Sequence, residues 1–138
     1  MKLESIKRKA LKEAKKEMED LRKDYVRTAA ADIADAICPH LTPTRKSFVW
    51  RKSVAMIVVA YDTNRGTNNI FISDGDIVIT VESERSLARR AMSIDVKPVK
   101  DTFLDTDLKN KAMMNAMRLL DANYEDILKS FFKSLPHE

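Results

Sequence analysis

The sequence predicts an α+β fold, with a long N-terminal helix, a small antiparallel β-meander of three to four strands and a long C-terminal helix. Three observations support this prediction. Apolar residues recur with helical spacing up to about residue 37, and again after residue 105. Between them, β-branched and aromatic residues are dense. The two glycines, Gly66 and Gly75, lie in turn-like clusters between these β-rich segments.

The first helix is predicted from Lys2 to about Ile37, because this stretch contains no Gly or Pro and is followed by Pro39. Its apolar stripe has members three or four residues apart: Leu11, Ala14, Met18, Leu21, Tyr25, Ala29, Ile33 and Ala36. The opposite face is basic, with Lys2, Lys9, Lys12, Lys16, Lys23 and Arg27, and one edge is acidic, with Glu13, Glu17 and Asp24. The stripe is rich in alanine, so we expect it to pack on a neighbour without holding a free-standing dimer by itself.

The net charge of the chain is concentrated in this helix. Residues 1–27 contain ten Lys/Arg and six Asp/Glu, and this surplus of four positive charges equals the formal charge of +4 for the whole chain. At 1.5 Å per residue the helix would be about 50 Å long, against about 30 Å for the diameter of a small domain. We therefore divide the chain into a projecting basic amphipathic helix, residues 1–37, and a compact α+β body, residues 38–138.

The β-rich middle is predicted to begin with one long or two consecutive strands. Residues 48–50 and 54–61 are dense in β-branched and aromatic side chains, and the second segment is expected to be buried mostly on both faces. The alternation along a strand puts Phe48 and Trp50 on the same face as three apolar residues further on, Val54, Met56 and Val58. This shared face favours a core position for both aromatic rings.

The meander is predicted to continue through a hairpin. Residues 70–72 and 77–81 flank Asp74-Gly75, a pair typical of tight hairpin turns. Residues 83–92 are predicted as a short helix capped by Ser83, and residues 95–105, which contain Pro98, as a connector.

The second long helix is predicted from Asp107 to about Leu135, with Thr106 or Asp105 as its N-cap. Its apolar face shifts along its length, which indicates either a bend near residues 121–123 or burial on two sides. Three methionines share one side of it and could form an adaptable interface or fill the core: Met113, Met114 and Met117.

The composition excludes several classes of function. No apolar run reaches the roughly 18–20 residues that cross a membrane. Cys38 is the only cysteine, so an internal disulfide is excluded and a reducing cytoplasmic compartment or a virion is favoured. With one cysteine and two histidines we expect no structural metal site. Without a phosphate-binding glycine loop or an oriented Cys–His pair, we expect no cofactor and no enzymatic activity.

The leading hypothesis is a non-enzymatic assembly or structural subunit. It would form homo-oligomers or dock into a large complex, for example a bacteriophage particle. The expected protein interface combines the helix stripe with the methionines: Leu11, Met18, Leu21, Tyr25, Met113, Met114 and Met117. The helix–meander–helix order occurs in small head–tail and tail proteins of bacteriophages and also in small nucleoid-associated proteins.

The alternative is a basic accessory protein that binds nucleic acid. Its contacts would come from the basic face of the first helix and from the basic-aromatic strand at 45–52: Lys9, Lys12, Lys16, Lys23, Arg45, Lys46, Trp50, Arg51 and Lys52. An aromatic ring flanked by cations can stack on a base, whereas a ring in the core cannot. The two hypotheses therefore differ in whether Trp50 is accessible.

Overall fold

The computed structural model describes residues 2–84, 92–98 and 104–136. These form helix α1 (Leu3–Ile37), a 3₁₀ turn (Cys38–His40), five strands and helix α2 (Thr106–Lys133). The strands are β1 (Ser47–Lys52), β2 (Ala55–Asp62), β3 (Thr67–Ser73), β4 (Ile77–Glu84) and β5 (Met92–Pro98). They form one antiparallel meander in the order β1-β2-β3-β4-β5. The α+β class is confirmed, but the sheet has five strands instead of three to four.

The fifth strand corrects two predictions. Ser83, expected to cap a short helix, lies in β4, and β5 occupies part of the expected connector. The rest of that predicted helix, residues 85–91, and residues 99–103 of the connector lie outside the described residues. β5 has only Ile94 and Val96 as aliphatic core residues, and Pro98 at its end suggested a loop. A proline is compatible with an edge strand. Proline has no N–H to donate, and on the open side of an edge strand no neighbouring strand needs that hydrogen bond.

Two rows of apolar side chains cross one face of the sheet. The strand register aligns Phe48, Val59, Ile70, Val81 and Ile94 in one row, and Trp50, Ile57, Ile72, Ile79 and Val96 in the other. The members from β1 to β4 are all buried, and those from the edge strand β5 are half-buried. Buried residues of α1 and α2 pack in the same cluster. Both helices therefore cover this face, which we call the inner face.

The turn between β1 and β2 decides which residues join the inner face. Ser53 and Val54 form a two-residue turn between the paired Lys52 and Ala55, with a left-handed φ of 56° at Ser53. Phe48 and Trp50 are in the core, as predicted, but the turn reverses the alternation in β2. Their cross-strand neighbours are therefore Val59 and Ile57 instead of the residues that a continuous strand predicts, Val54, Met56 and Val58.

Helices α1 and α2 run in the same direction across the inner face. Near the start of α2, Asn110 Nδ2 donates to Glu19 Oε1 at 2.8 Å. Further along both helices, the Tyr25 hydroxyl donates to Asp121 Oδ1, also at 2.8 Å. One face of α2 packs on the sheet, where Trp50 Nε1 donates to Asp126 Oδ2 at 3.0 Å. The shift of its apolar face thus reflects burial on two sides within one continuous helix.

Local polar contacts fix the predicted helix start and hairpin. The Asp105 carboxylate accepts a hydrogen bond from the Leu108 N–H at 2.8 Å and caps α2. In the β3–β4 turn the Asp74 carboxylate accepts from the N–H groups of Asp76 and Ile77 at 3.0 Å. Gly75 supplies the positive φ, 105°, that this turn requires.

Two adjacent valines in β2 test whether the sheet is buried on one face only. Val59 is fully buried on the inner face, whereas Val58 is half-buried on the opposite face. We expect Val59→Ala to lower the free energy of unfolding by about 2 kcal/mol, because it removes buried methyl groups and leaves a cavity. Val58→Ala should cost less than about 1 kcal/mol. Urea unfolding of the two variants measures the difference, and equal losses would contradict the one-sided burial.

Candidate docking surface

Within residues 2–84, 92–98 and 104–136, the body leaves the amino-terminal half of α1 uncovered. Every side chain from residue 3 to residue 18 is exposed, and the first buried residue of the helix is Val26. The buried residues of α1 all lie near its carboxyl end: Val26, Ala30, Ala31, Ile33, Ala34 and Ile37. Residues 26–37 therefore supply the buried contacts of α1 with the sheet and with α2, while Glu19 and Tyr25 are hydrogen-bonded to α2 at the surface.

An uncovered apolar stripe runs along this half of the helix. We define the exposed stripe as Leu3, Leu11, Ala14, Met18 and Leu21. Leu11 is 71 % exposed and Leu21 is 63 % exposed. At 100° per residue, the stripe is turned by roughly 130° from the face that residues 26–37 bury. The described residues of the body therefore lie on another side of the helix and do not cover it.

The sequence prediction joined this exposed stripe to residues further along α1 that the fold buries. Its predicted continuation is Ala29, Ile33 and Ala36, of which Ile33 is buried and the two alanines are half-buried. Tyr25 lies at the transition, with 39 % of its surface exposed and its hydroxyl bound to Asp121. The stripe is thus free only up to about Leu21.

The predicted methionine surface packs largely inside this chain. Met113 is buried, Met117 packs against the core, and Met114 is half-buried. Met114 and Met117 are spaced to share the side of α2 that carries Asn110 and Asp121, the two residues bonded to α1. Of the predicted interface residues, the structure leaves Leu11, Met18 and Leu21 as one uncovered group.

The basic-aromatic segment 45–52 is engaged with α2. The Arg45 guanidinium lies over the Phe131 ring, 5.1 Å from its centroid, and donates to Ser134 Oγ at 2.7 Å. Trp50 is buried, and Lys52 Nζ donates to Asn123 Oδ1 at 3.2 Å. The Trp50 ring is therefore not accessible for stacking on a base. Of the predicted nucleic-acid contacts, Lys9, Lys12, Lys16 and Lys23 are exposed on α1. Lys46, just before β1, and Arg51 and Lys52, in β1, are exposed as well.

A second apolar area, on the outer face of the sheet, is left uncovered by the residues that the structure describes. Val49 is exposed there, and its neighbours across the strands, Val58 and Phe71, are half-buried. Val78 in β4 is half-buried on the same face. Neither α1 nor α2 packs on it. Sequence reasoning missed this area because it treated β2 as buried mostly on both faces. The half-buried side chains make it flatter and less accessible than the exposed stripe.

Other kinds of site find no support in the part of the chain that the structure describes. No three His, Cys, Asp or Glu side chains there are placed to hold a metal ion. No helix among these residues is long and apolar enough to cross a membrane. Cys38 is buried, with its sulfur 3.9 Å from the Ala60 carbonyl oxygen.

Comparisons with known proteins provide no relative of this chain. No protein-family model matches it, and neither does any curated protein or any solved structure. The function must therefore be inferred from the surfaces themselves.

The Tyr25–Asp121 contact predicts a pH dependence. Hydrogen bonding to Asp121, partial burial and the Asp121 charge all raise the pKa of Tyr25 above its ordinary value of 10.0. Because the pKa is higher in the folded state, the contact stabilises the fold below about pH 10. That contribution is lost as the pH rises through the raised pKa.

We expect Asp121→Asn to lower the Tyr25 pKa towards 10.0, since the charged acceptor is removed. Tyrosinate absorbance during an alkaline titration measures this change. Tyr25→Phe serves as the control. The variant lacks the Tyr25 hydroxyl, so the titration that disappears from the absorbance curve is the one that belongs to Tyr25. If the pKa of Tyr25 is the same in Asp121→Asn as in the unsubstituted protein, the hydrogen bond between Tyr25 of α1 and Asp121 of α2 does not form in solution.

Proposed function

We propose that this protein is a non-enzymatic structural subunit that docks into a large assembly through the exposed stripe of α1. The observation that carries the proposal is a row of large apolar side chains on a helix that extends past its own body. Leu11, Met18 and Leu21 are each more than half exposed. Burying such a side chain contributes about 1.5–3 kcal/mol, so a partner that covers three of them gains appreciably.

The position of the stripe favours a macromolecular partner over a small ligand. A stripe along a single helix is convex, whereas small-molecule sites are concave and enclose most of the ligand. A second helix or a flat protein surface can cover such a stripe along its whole length. The proposal therefore concerns contacts between subunits.

A bacteriophage particle is the assembly that we propose. Small head–tail and tail proteins of bacteriophages share the order of a helix, an antiparallel meander and a helix. In a particle, a small body with one extended helix can contact a neighbouring subunit at a distance from its own core. This finer proposal is supported by the element order, which small nucleoid-associated proteins share, together with the uncovered stripe and the length of α1, 35 residues.

The nucleic-acid alternative has less support. Phosphate contacts could still come from the exposed lysines of α1. Base stacking would have to come from the 45–52 segment, where Trp50 is buried and Arg45 is bound to α2. Exposed lysines alone are also what an ordinary solvated helix face presents.

Two triple variants separate these functions. Replacement of Leu11, Met18 and Leu21 by Ser should abolish self-association, because it removes the apolar contact. Replacement of Lys12, Lys16 and Lys23 by Glu should leave self-association in place. Light scattering coupled to size exclusion, at low and high salt and with a mixed-sequence oligonucleotide, measures both properties.

A discrete oligomer that resists salt and ignores the oligonucleotide is the expected result. A monomer that shifts onto the oligonucleotide only at low salt, and loses this binding in the Lys→Glu variant, would contradict the proposal. It would instead make nucleic acid the partner, since phosphate contacts weaken steeply as salt rises.

A further inference from the structure

The exposed part of α1 follows a heptad repeat, the spacing with which helices pack against each other. Reading Leu11 as position a places Met18 and Tyr25 at the same position of the next two heptads. Position d is then occupied by Lys7, Ala14 and Leu21. These a and d residues form a seam, which coincides with the exposed stripe from Leu11 to Leu21 and is preceded by Lys7.

The positions on the two sides of this seam carry opposite charges. The e positions are all basic: Arg8, Lys15 and Arg22. The g positions are Ala10, Glu17 and Asp24, so their only charges are acidic. Residues at e and g lie closest to a partner helix and determine its identity and orientation.

This separation of charge favours a second copy of the same chain in one orientation. In a parallel pair of helices, position g of one helix faces position e of the other, so Glu17 lies opposite Arg22 of the second copy. In an antiparallel pair, e faces e and g faces g, which brings like charges together. We infer that the exposed stripe of α1 is covered by α1 of a second copy, packed in parallel. This inference rests on the proposed function and specifies its partner.

The fold leaves room for this arrangement. The face of α1 that is anchored on the body lies roughly 130° from the seam, so the two bodies lie on the outer sides of the helix pair. The seam ends near Tyr25, where the hydroxyl is already bound to Asp121. Lys9, Lys16 and Lys23 occupy position f, which is farthest from a partner helix. The basic face of α1 therefore stays in water in the pair.

The seam is short and weak, so the pair should form reversibly as concentration rises. Ala14 buries little surface, and Lys7 places a charge at a d position, which costs stability. Within residues 7–25 the charge pair between e and g is Glu17 with Arg22 of the second copy, and an exposed pair of this kind contributes about 0.2–1 kcal/mol, roughly a 1.4- to 5-fold change in the association constant. The apolar contacts therefore supply most of the binding energy. Because the total is small, a charge added beside the seam still shifts the association severalfold.

Disulfide cross-linking tests the orientation in the full chain. In a parallel pair, Lys7→Cys places two cysteines at facing d positions, and we expect a disulfide-linked dimer on mild oxidation. Lys9→Cys is the matched control, because position f points away from the partner and should give no dimer. The unsubstituted chain controls for Cys38, which is buried.

An antiparallel pair would give a different pattern. In an antiparallel pair, a positions face d positions, so Leu11→Cys mixed with Leu21→Cys would form a mixed dimer, while neither variant would cross-link to itself. That result would overturn the inference. Failure of Lys7→Cys to cross-link at any concentration would overturn it as well.

A charge introduced at Ala10 gives a second, independent readout. In the parallel pair, position 10 faces Lys15 of the second copy, so Ala10→Glu should tighten self-association about two- to fivefold. Ala10→Lys should weaken it by a similar factor. Ser5→Glu, at position b and away from the seam, matches the charge change of Ala10→Glu and should have little effect. Sedimentation equilibrium measures the constants, and a weaker Ala10→Glu dimer would overturn the parallel orientation.

Failure of the inference can be distinguished from failure of the proposed function. One outcome is a stable oligomer that shows none of these cross-links and persists when Leu11, Met18 and Leu21 are replaced by Ser. In that case the inference fails, but the proposed assembly function stands and uses another surface. The outer face of the sheet would then be the next surface to test. A monomer that binds only the oligonucleotide would contradict both.

Discussion

The mismatch in length between α1 and the sheet that it covers determines the rest of the structure. The longest strands have eight residues and span about 27 Å, whereas the 35 residues of α1 span about 52 Å. Residues 26–37 supply the buried side chains of α1, and Glu19 and Tyr25 still bond to α2. The turns before Glu19 extend past the sheet, and the apolar surface that they carry stays in water unless a partner covers it.

The side chains of the extended half of α1 are arranged around that uncovered surface. Apolar residues form the seam, basic and acidic residues separate onto its two edges, and lysines occupy the face opposite to it. A merely solvated helix has no need to keep its acidic and basic edges apart. The same surplus of positive charge that suggests nucleic-acid binding therefore has a second explanation, as the outer face of a helix pair.

Sequence patterns predicted the elements whose signal is local. The absence of Gly and Pro before Pro39 marks α1, and Asp74-Gly75 marks a hairpin, both as found. Thr106 or Asp105 marks the start of α2, and the structure has Asp105 as the cap. β5 was missed because two aliphatic residues followed by a proline resemble a loop. Two consecutive strands, one of the two alternatives for residues 48–61, are found. The turn at Ser53 between them was not predicted, because it contains neither Gly nor Asn, although Ser53 adopts a left-handed conformation.

The candidate site was predicted only in part, for a reason of geometry. A helical wheel shows which residues share a side of α1, but it does not show where along the helix the body begins. It therefore combined Leu11, which is exposed, with Ile33, which is buried. The side of α2 that carries Met114 and Met117 likewise faces α1, and only the tertiary fold shows this. Hydrogen exchange of the α1 amides at increasing protein concentration tests the central claim most directly. If residues 3–21 dock on a partner, their protection should rise with concentration while that of residues 26–37 stays constant; protection of residues 3–21 that is independent of concentration would contradict the account.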